Sequence, residues 1–327
     1  MLWLTAAMLL GCFGCVKTPQ RFERTWYDVF DTVTVLTGYA DSAEEFDAVA
    51  QRAHQKLLEY HYLFDIYHDA PGGANLKTVN DCAGEAVSVD PRITELLVFC
   101  READAATHHR VDVTLGAVLR LWHDAREAAL ADPDHAAVPD AAALREAKRH
   151  TGFALLEIDE AAHTVRLTDP LARLDVGAIA KGYAGERVAQ GLPDGYLLNL
   201  GHNVVAKGAK PGGAAWTVGI QDPRSSGLLC TIPVTDQAVV TSGDYQRAFT
   251  VNGKDYHHII DPDTLAPAEG FASVTVRCAS SAAADMLSTA LFLLPQAEGE
   301  RLLGEYSAEA LWVAPDGTVT KSDGWDT

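Results

Sequence analysis

Basic residues are scarce: 26 Lys and Arg stand against 45 Asp and Glu, a formal net charge of −19 over 327 residues. A surface that acidic repels phosphate backbones and anionic lipid head groups, which sets nucleic acid aside as a partner. A highly anionic ligand would need a cation or local dipoles to bind at all. Cysteine is sparse as well. Beyond Cys12 and Cys15, the remaining Cys82, Cys100, Cys230 and Cys278 stand far apart with no CxxC pair, so zinc ligation has little support. Cys100 and Cys278 sit among apolar neighbours and read as small core fillers. The chain also lacks an internal repeat, a low-complexity linker and a GxGxxG after a strand-like run, which argues against a Rossmann fold. What is present is 48% hydrophobic and 22% charged residues, a globular balance over a length that can bury a large core.

The first eleven residues are almost wholly apolar and end in Leu9-Leu10-Gly11-Cys12, which resembles the lipobox of bacterial lipoproteins. The run is too short to span a bilayer, so it reads as a cleaved signal segment whose Cys12 carries the lipid. The alternative is a buried N-terminal strand or helix. On the first reading, 1–15 is signal and lipobox, 16–24 a polar tether, and 25–327 one domain held at the extracytoplasmic face of the cell membrane.

Along the body, Thr32 to Leu36 alternates β-branched residues and predicts a strand. Ser42-Ala43-Glu44-Glu45 is a capping box opening a helix with Phe46, Val49, Ala53 and Leu57 on one stripe. Asp90-Pro91 opens another helix, and the Ala- and charge-rich 124–150 reads as a surface helical excursion. Strands are expected at 155–158, 164–167, 196–200, 216–220, 229–234 and 273–277. Asn252-Gly253 lies between 249–251 and 256–260 as a type I′ hairpin turn, and Asp316-Gly317 marks a second hairpin. An apolar helix fills 281–294. Without βαβ alternation, the pattern predicts an α+β fold of largely antiparallel sheets with packed helices.

Polar and glycine residues interrupt apolar runs at four places. Asp175-Val176-Gly177-Ala178-Ile179-Ala180-Lys181 places an acid, a free backbone and a lysine near a helix start, where N–H groups can face an anion. Asn199-Leu200-Gly201-His202-Asn203 and Thr241-Ser242-Gly243-Asp244-Tyr245 are tight turns after strands. In His257-His258-Ile259-Ile260-Asp261-Pro262, strand alternation would send one histidine inward and the other to solvent. A fifth feature lies in the apolar helix. Asp285 and Thr289 are i and i+4, so a carboxylate and a hydroxyl share one face, a hard-oxygen pair suited to Mg²⁺. Each feature alone also has a plain structural reading as turn chemistry or a solvated side chain.

Taken in order, these segments resemble the ApbE family of FAD:protein FMN transferases. The likeness runs from Phe30-Asp31-Thr32 to about Leu294 and includes Phe64-Asp65-Ile66-Tyr67, Asn75 to Asn80, Val111-Asp112-Val113-Thr114 with Leu121-Trp122, and Ala284-Asp285-x-x-Ser288-Thr289. The resemblance implies an ApbE-like, T-fold-related architecture. It also implies Mg²⁺-dependent transfer of FMN from FAD to a threonine hydroxyl of an exported acceptor flavoprotein, with release of AMP. By the same resemblance, Ala178, Asp285 and Thr289 would hold Mg²⁺. Val111, Asp112, Asp175, Lys181, Ile259 and Ser288 would line the FAD site, and His258 would accept the hydroxyl proton unless its role is only to position the loop. Two departures stand out: Gly201-His202 replaces the family's usual Gly-Gly, and Phe30-Asp31-Thr32 replaces Met-Gly-Thr. An FAD pyrophosphatase and a non-catalytic lipid-anchored FAD-binding protein are the alternatives.

Overall fold

The computed structural model describes residues 18–326. An eight-stranded sheet forms its centre: β1 (Gln20–Val29), β2 (Thr32–Ala40), β6 (Tyr196–Leu200), β7 (Asn203–Lys207), β10 (Ala238–Gly243), β13 (Ser273–Cys278), β14 (Glu309–Val313) and β15 (Val319–Lys321), in that spatial order. Every neighbouring pair is antiparallel. Smaller sheets are β3 (Ala86–Ser88) with β5 (Thr164–Leu167) and β4 (Leu156–Asp159), the β8 (Trp216–Gln221) and β9 (Leu228–Val234) pair, and the β11 (Phe249–Val251) and β12 (Lys254–Tyr256) hairpin. The helices are α1 (Ala43–Phe64), α2 (Leu76–Asp81), α3 (Pro91–Ala106), α4 (Gly116–Ala131), α5 (Ala141–Lys148), α6 (Ala180–Ala189), α7 (Ser281–Leu293) and α8 (Gln296–Tyr306). The expected α+β class holds.

Strand alternation sorts the core into two layers. Val205, Ala238, Val240, Ala310 and Trp312 face α1, α6 and α7, while Val204, Val239, Leu311 and Val313 face the β8–β9 ribbon through Trp216, Val218 and Ile232. β13 is buried along its whole length because both faces are covered. A third cluster joins α4 and α5 to the β11–β12 hairpin through Trp122, Leu144 and Phe249. Trp122 is fixed by its indole N–H donating to the Leu265 carbonyl at 2.9 Å. This cluster forms the outer wall of the site.

Local chemistry explains most boundaries. Ser42 caps α1 by accepting from the Glu45 N–H, and Glu45 reaches back to the Asp41 N–H, one residue before the cap. Asn252 and Gly253 hold φ of 51° and 80°, the left-handed pair that a type I′ turn needs.

Two expectations are corrected here. The polar tether at 16–24 is not a tether from Gln20 onward: residues 20–24 begin β1 and pair with β2, because an alternating strand gains a full ladder of backbone hydrogen bonds there. The strand at 256–260 instead runs Lys254–Tyr256, since the two-residue turn sets the register directly opposite 249–251. Residues 257–260 leave the ladder as a loop. Cys12 and the lipobox lie outside the described residues.

Candidate active site

Several loops and the helices α4, α6 and α7 converge on a cleft of about 780 Å³, within the range of roughly 300–1,000 Å³ typical of small-molecule sites. The floor is the segment between β5 and α6. Asn80, on α2, pins it by donating to the Leu174 carbonyl at 3.0 Å and accepting the Leu174 N–H at 2.7 Å. The Asp175 N–H then donates to the Val113 carbonyl at 2.8 Å, which binds the floor to the 111–114 turn. That turn is closed by Asp112, whose carboxylate accepts from the Thr114 N–H and hydroxyl at 2.8 and 2.5 Å. The Asp-x-Thr spacing is thus a turn lock that also presents Asp112 to the cleft.

Asp175 accepts the Gly177 N–H at 2.9 Å, and burial pushes its pKa up. Asp285, 3% exposed, accepts the Gly182 N–H at 2.7 Å. A carboxylate on an otherwise apolar helix is therefore anchored to the first turn of α6. Gly182 is required there, since a Cβ would stand 2.4 Å from the Asp285 Cβ and 2.4 Å from the Ser281 carbonyl. Ala178, Asp285 and Thr289 all line the cleft, so the residues expected at the metal site come together. Thr289 keeps only a loose 3.4 Å contact with Ser242.

Ser288 does not join them. It is fully buried, and its hydroxyl is engaged by the Asp285 carbonyl and the Ser242 hydroxyl, both at 2.9 Å. Its place on α7, one residue before Thr289, turns it away from the cleft.

The two histidines divide their roles by hydrogen bonding, not strand alternation. Nε2 of His257 lies 2.7 Å from the Ala268 carbonyl and Nδ1 is 3.2 Å from the Ile259 N–H, so both ring nitrogens are satisfied by backbone. His257 is structural. Nδ1 of His258 lies 3.1 Å from the Gln246 carbonyl, which can only accept, so Nδ1 carries the proton and Nε2 keeps a free lone pair. The ring is open to solvent along the cleft yet deep within it. Desolvation there pushes its pKa down to about 3, with Arg247 and Lys181 adding to the shift.

Val111, Asp112, Asp175, Lys181, His258 and Ile259 all border the cleft as expected. Sequence reasoning missed Arg247, and no motif flags it. Arg247 and Lys181 line the cleft without a hydrogen bond or an ion pair to protein among the described residues. Arg110, by contrast, is tied to Asp261 and Asp263. Also missed was a ring pair on the wall, Tyr67 stacked on His123 at 4.4 Å.

A protein with 19 excess negative charges that keeps two cations unpaired in this cleft, beside a neutral histidine, is an α+β enzyme built for an anionic substrate. The family follows from comparison: the ApbE family model matches residues 30–312, and the chain belongs to that family. It is 36% identical over 274 residues to an FAD:protein FMN transferase of Treponema pallidum, covering 76% of this chain and 73% of that one. A Vibrio cholerae protein of the same name is 32% identical over 317 residues, covering 91% and 89%. The crystal structure of the ApbE protein from Thermotoga maritima superposes with a TM-score of 0.84 at 28% identity, covering 94% of this chain and 98% of that one.

Proposed function

We propose that the enzyme transfers FMN from FAD to a threonine hydroxyl of an exported acceptor flavoprotein, releasing AMP, and that it depends on Mg²⁺. The observation that supports this most is the meeting of Lys181 and Arg247 with the Asp285–Thr289 pair and the neutral His258 in one cleft. The two cations would receive the pyrophosphate. Nε2 of His258 would take the hydroxyl proton as the threonine oxygen bonds to the phosphorus nearer riboflavin and the bond to the AMP oxygen breaks. AMP departs with the electron pair, and the proton passes from His258 to solvent.

Asp285, Thr289 and the Ala178 carbonyl are hard oxygen donors, the set from which Mg²⁺ is held while phosphate and water complete its shell. Among the described residues no group of three or more His, Cys, Asp or Glu side chains could hold a metal ion, so the Mg²⁺ reading rests on Asp285, Thr289 and the Ala178 carbonyl. Mg²⁺ bound there would neutralise pyrophosphate charge.

The test is incubation with FAD, Mg²⁺ and candidate exported flavoproteins, reading AMP release and in-gel flavin fluorescence of the acceptor. Fluorescent acceptor supports the proposal. AMP and free FMN without labelled acceptor makes the enzyme an FAD pyrophosphatase, and bound FAD that never turns over makes it a binding protein. Asp285→Ala should abolish AMP release at ordinary metal concentrations, and Thr289→Val should raise the Mg²⁺ requirement at lower cost. Wild-type activity that persists in EDTA removes the metal from the mechanism.

We also propose a lipid anchor on Cys12, supported by Leu9-Leu10-Gly11-Cys12 closing an apolar run. It would place the enzyme on the extracytoplasmic face of the cell membrane. Cys12→Ala should release the chain from membranes or leave it unprocessed. Normal processing and membrane retention in that variant would discard the anchor.

A further inference from the structure

His202 occupies a backbone position that suits glycine, with φ of 76°, and its ring lines the cleft. Nε2 lies 3.1 Å from the Gln221 side-chain oxygen, and Nδ1 lies 3.3 Å from the Gln246 side-chain nitrogen. An amide oxygen accepts and an amide nitrogen donates, so the pair fits a neutral ring protonated at Nε2. Gln221 ends β8, on the ribbon that covers the sheet, and Gln246 sits in the turn after β10. The ring therefore ties two elements that are distant in sequence.

The near end of that turn is held without His202. Asp244 accepts two 2.7 Å bonds from Arg224, and its N–H donates to the Ala272 carbonyl at 3.0 Å. The far end is held less well, since the Gln246 N–H reaches the Gly243 carbonyl only at 3.5 Å. Yet the far end carries the chemistry. The Gln246 carbonyl is the partner of His258 Nδ1, and Arg247 enters the cleft one residue later.

We propose that His202 is a positioning residue: the Gln221–His202–Gln246 brace fixes the Gln246 carbonyl, and through it holds His258 as the Nδ1–H tautomer with Nε2 free to accept a proton. The brace stands on geometry alone. Its consequence for turnover rests on His258 being the proton acceptor of the proposed reaction.

The experiment compares ¹⁵N-histidine-labelled wild type, His202→Gly, Gln221→Ala and the double variant by NMR of the ring nitrogens, with His258 assigned through its loss in His258→Gln. Gln221 lies outside the cleft lining, so its variant tests the brace from a distance. The expected result is Nδ1–H at His258 in the wild type and a mixture of tautomers in all three variants. For AMP release from FAD, kcat should fall about ten- to a hundred-fold, as expected when a reacting group is misplaced, and by more than KM rises. The double variant should be no worse than His202→Gly, because both changes break one chain of bonds. His202→Gly should melt no lower than the wild type, since glycine suits the backbone there. An unchanged His258 tautomer in His202→Gly overturns the proposal, as does full additivity in the double variant. If the wild type releases no AMP, the activity reading fails while the tautomer spectra still judge the brace.

Discussion

At the scale of single residues, the question is how a histidine with pKa near 3 can serve as a base at neutral pH. Its neutrality is the useful part, since Nε2 is available without losing a proton first. The low value has two causes that binding changes: desolvation, and the nearby charges of Arg247 and Lys181. An anionic pyrophosphate laid against those cations would cancel the second cause and raise the pKa of His258 in the complex. The acid limb of kcat, which reports the complex, should therefore lie at higher pH than that of kcat/KM, which reports the free enzyme. The free enzyme should show no His258 inflection near the ordinary 6.5. Because the folded chain takes up this proton only near pH 3 while the unfolded chain takes it up near 6.5, His258 also subtracts stability as pH falls across that window. His258→Ala should slow transfer by about 10²–10⁴-fold with a smaller effect on FAD binding. Near-normal turnover in that variant would leave His258 a structural residue. The histidine itself was legible in the sequence, but the reason for choosing it over His257 was not. Strand alternation suggested that the two would face opposite ways, yet both lie in a loop. Backbone carbonyls from Ala268 and Gln246 decide their roles, and sequence spacing carries no trace of those partners.

Among elements, α6 and α7 matter most, because their contact converts two weak motifs into one site. The i,i+4 pair Asp285 and Thr289 was legible, as was the loop Asp175 to Lys181. That the two motifs touch through the Gly182 N–H and Asp285 was not, since the contact spans about a hundred residues of sequence. Gly182 lies inside α6, where it permits close helix packing. Gly182→Ala should therefore destabilise the fold by about 1–3 kcal/mol, the usual cost of overpacking, even though alanine is the better helix former. It should also impair activity by moving Asp285. Urea unfolding checks the first effect, and a variant as stable as the wild type would show that α6 and α7 can separate freely. Ser288 shows the converse limit of sequence reading. Membership in the same motif as Thr289 suggested the cleft, but helical rotation buries it against Ser242.

For the whole molecule, an acidic body surrounds a cleft that holds two unpaired cations, and the consequence is measurable. An FAD molecule approaching a body of formal charge −19 meets repulsion over most of the surface. Inside the cleft Lys181 and Arg247 present positive charge, and neither is neutralised by a protein carboxylate within ion-pair distance among the described residues. Such charges, left unpaired against the general acidity of the chain, are held ready for the ligand. Lys181→Ala and Arg247→Ala should each weaken FAD binding by about ten- to a hundred-fold, the effect of losing a charged hydrogen bond worth roughly 1.5–3 kcal/mol. Titration of flavin fluorescence without Mg²⁺ measures this binding free of turnover. Salt should act in two opposed ways, since it screens both the repulsion by the body and the attraction in the cleft. Wild-type affinity should then change little with ionic strength. The double variant loses both unpaired cations, leaving Arg110 and Arg126 tied to carboxylates, so repulsion dominates and added salt should strengthen its weak binding. A double variant whose affinity falls with salt as a simple cation site would, or single variants that bind FAD like the wild type, would mean that the pyrophosphate does not lie against Lys181 and Arg247.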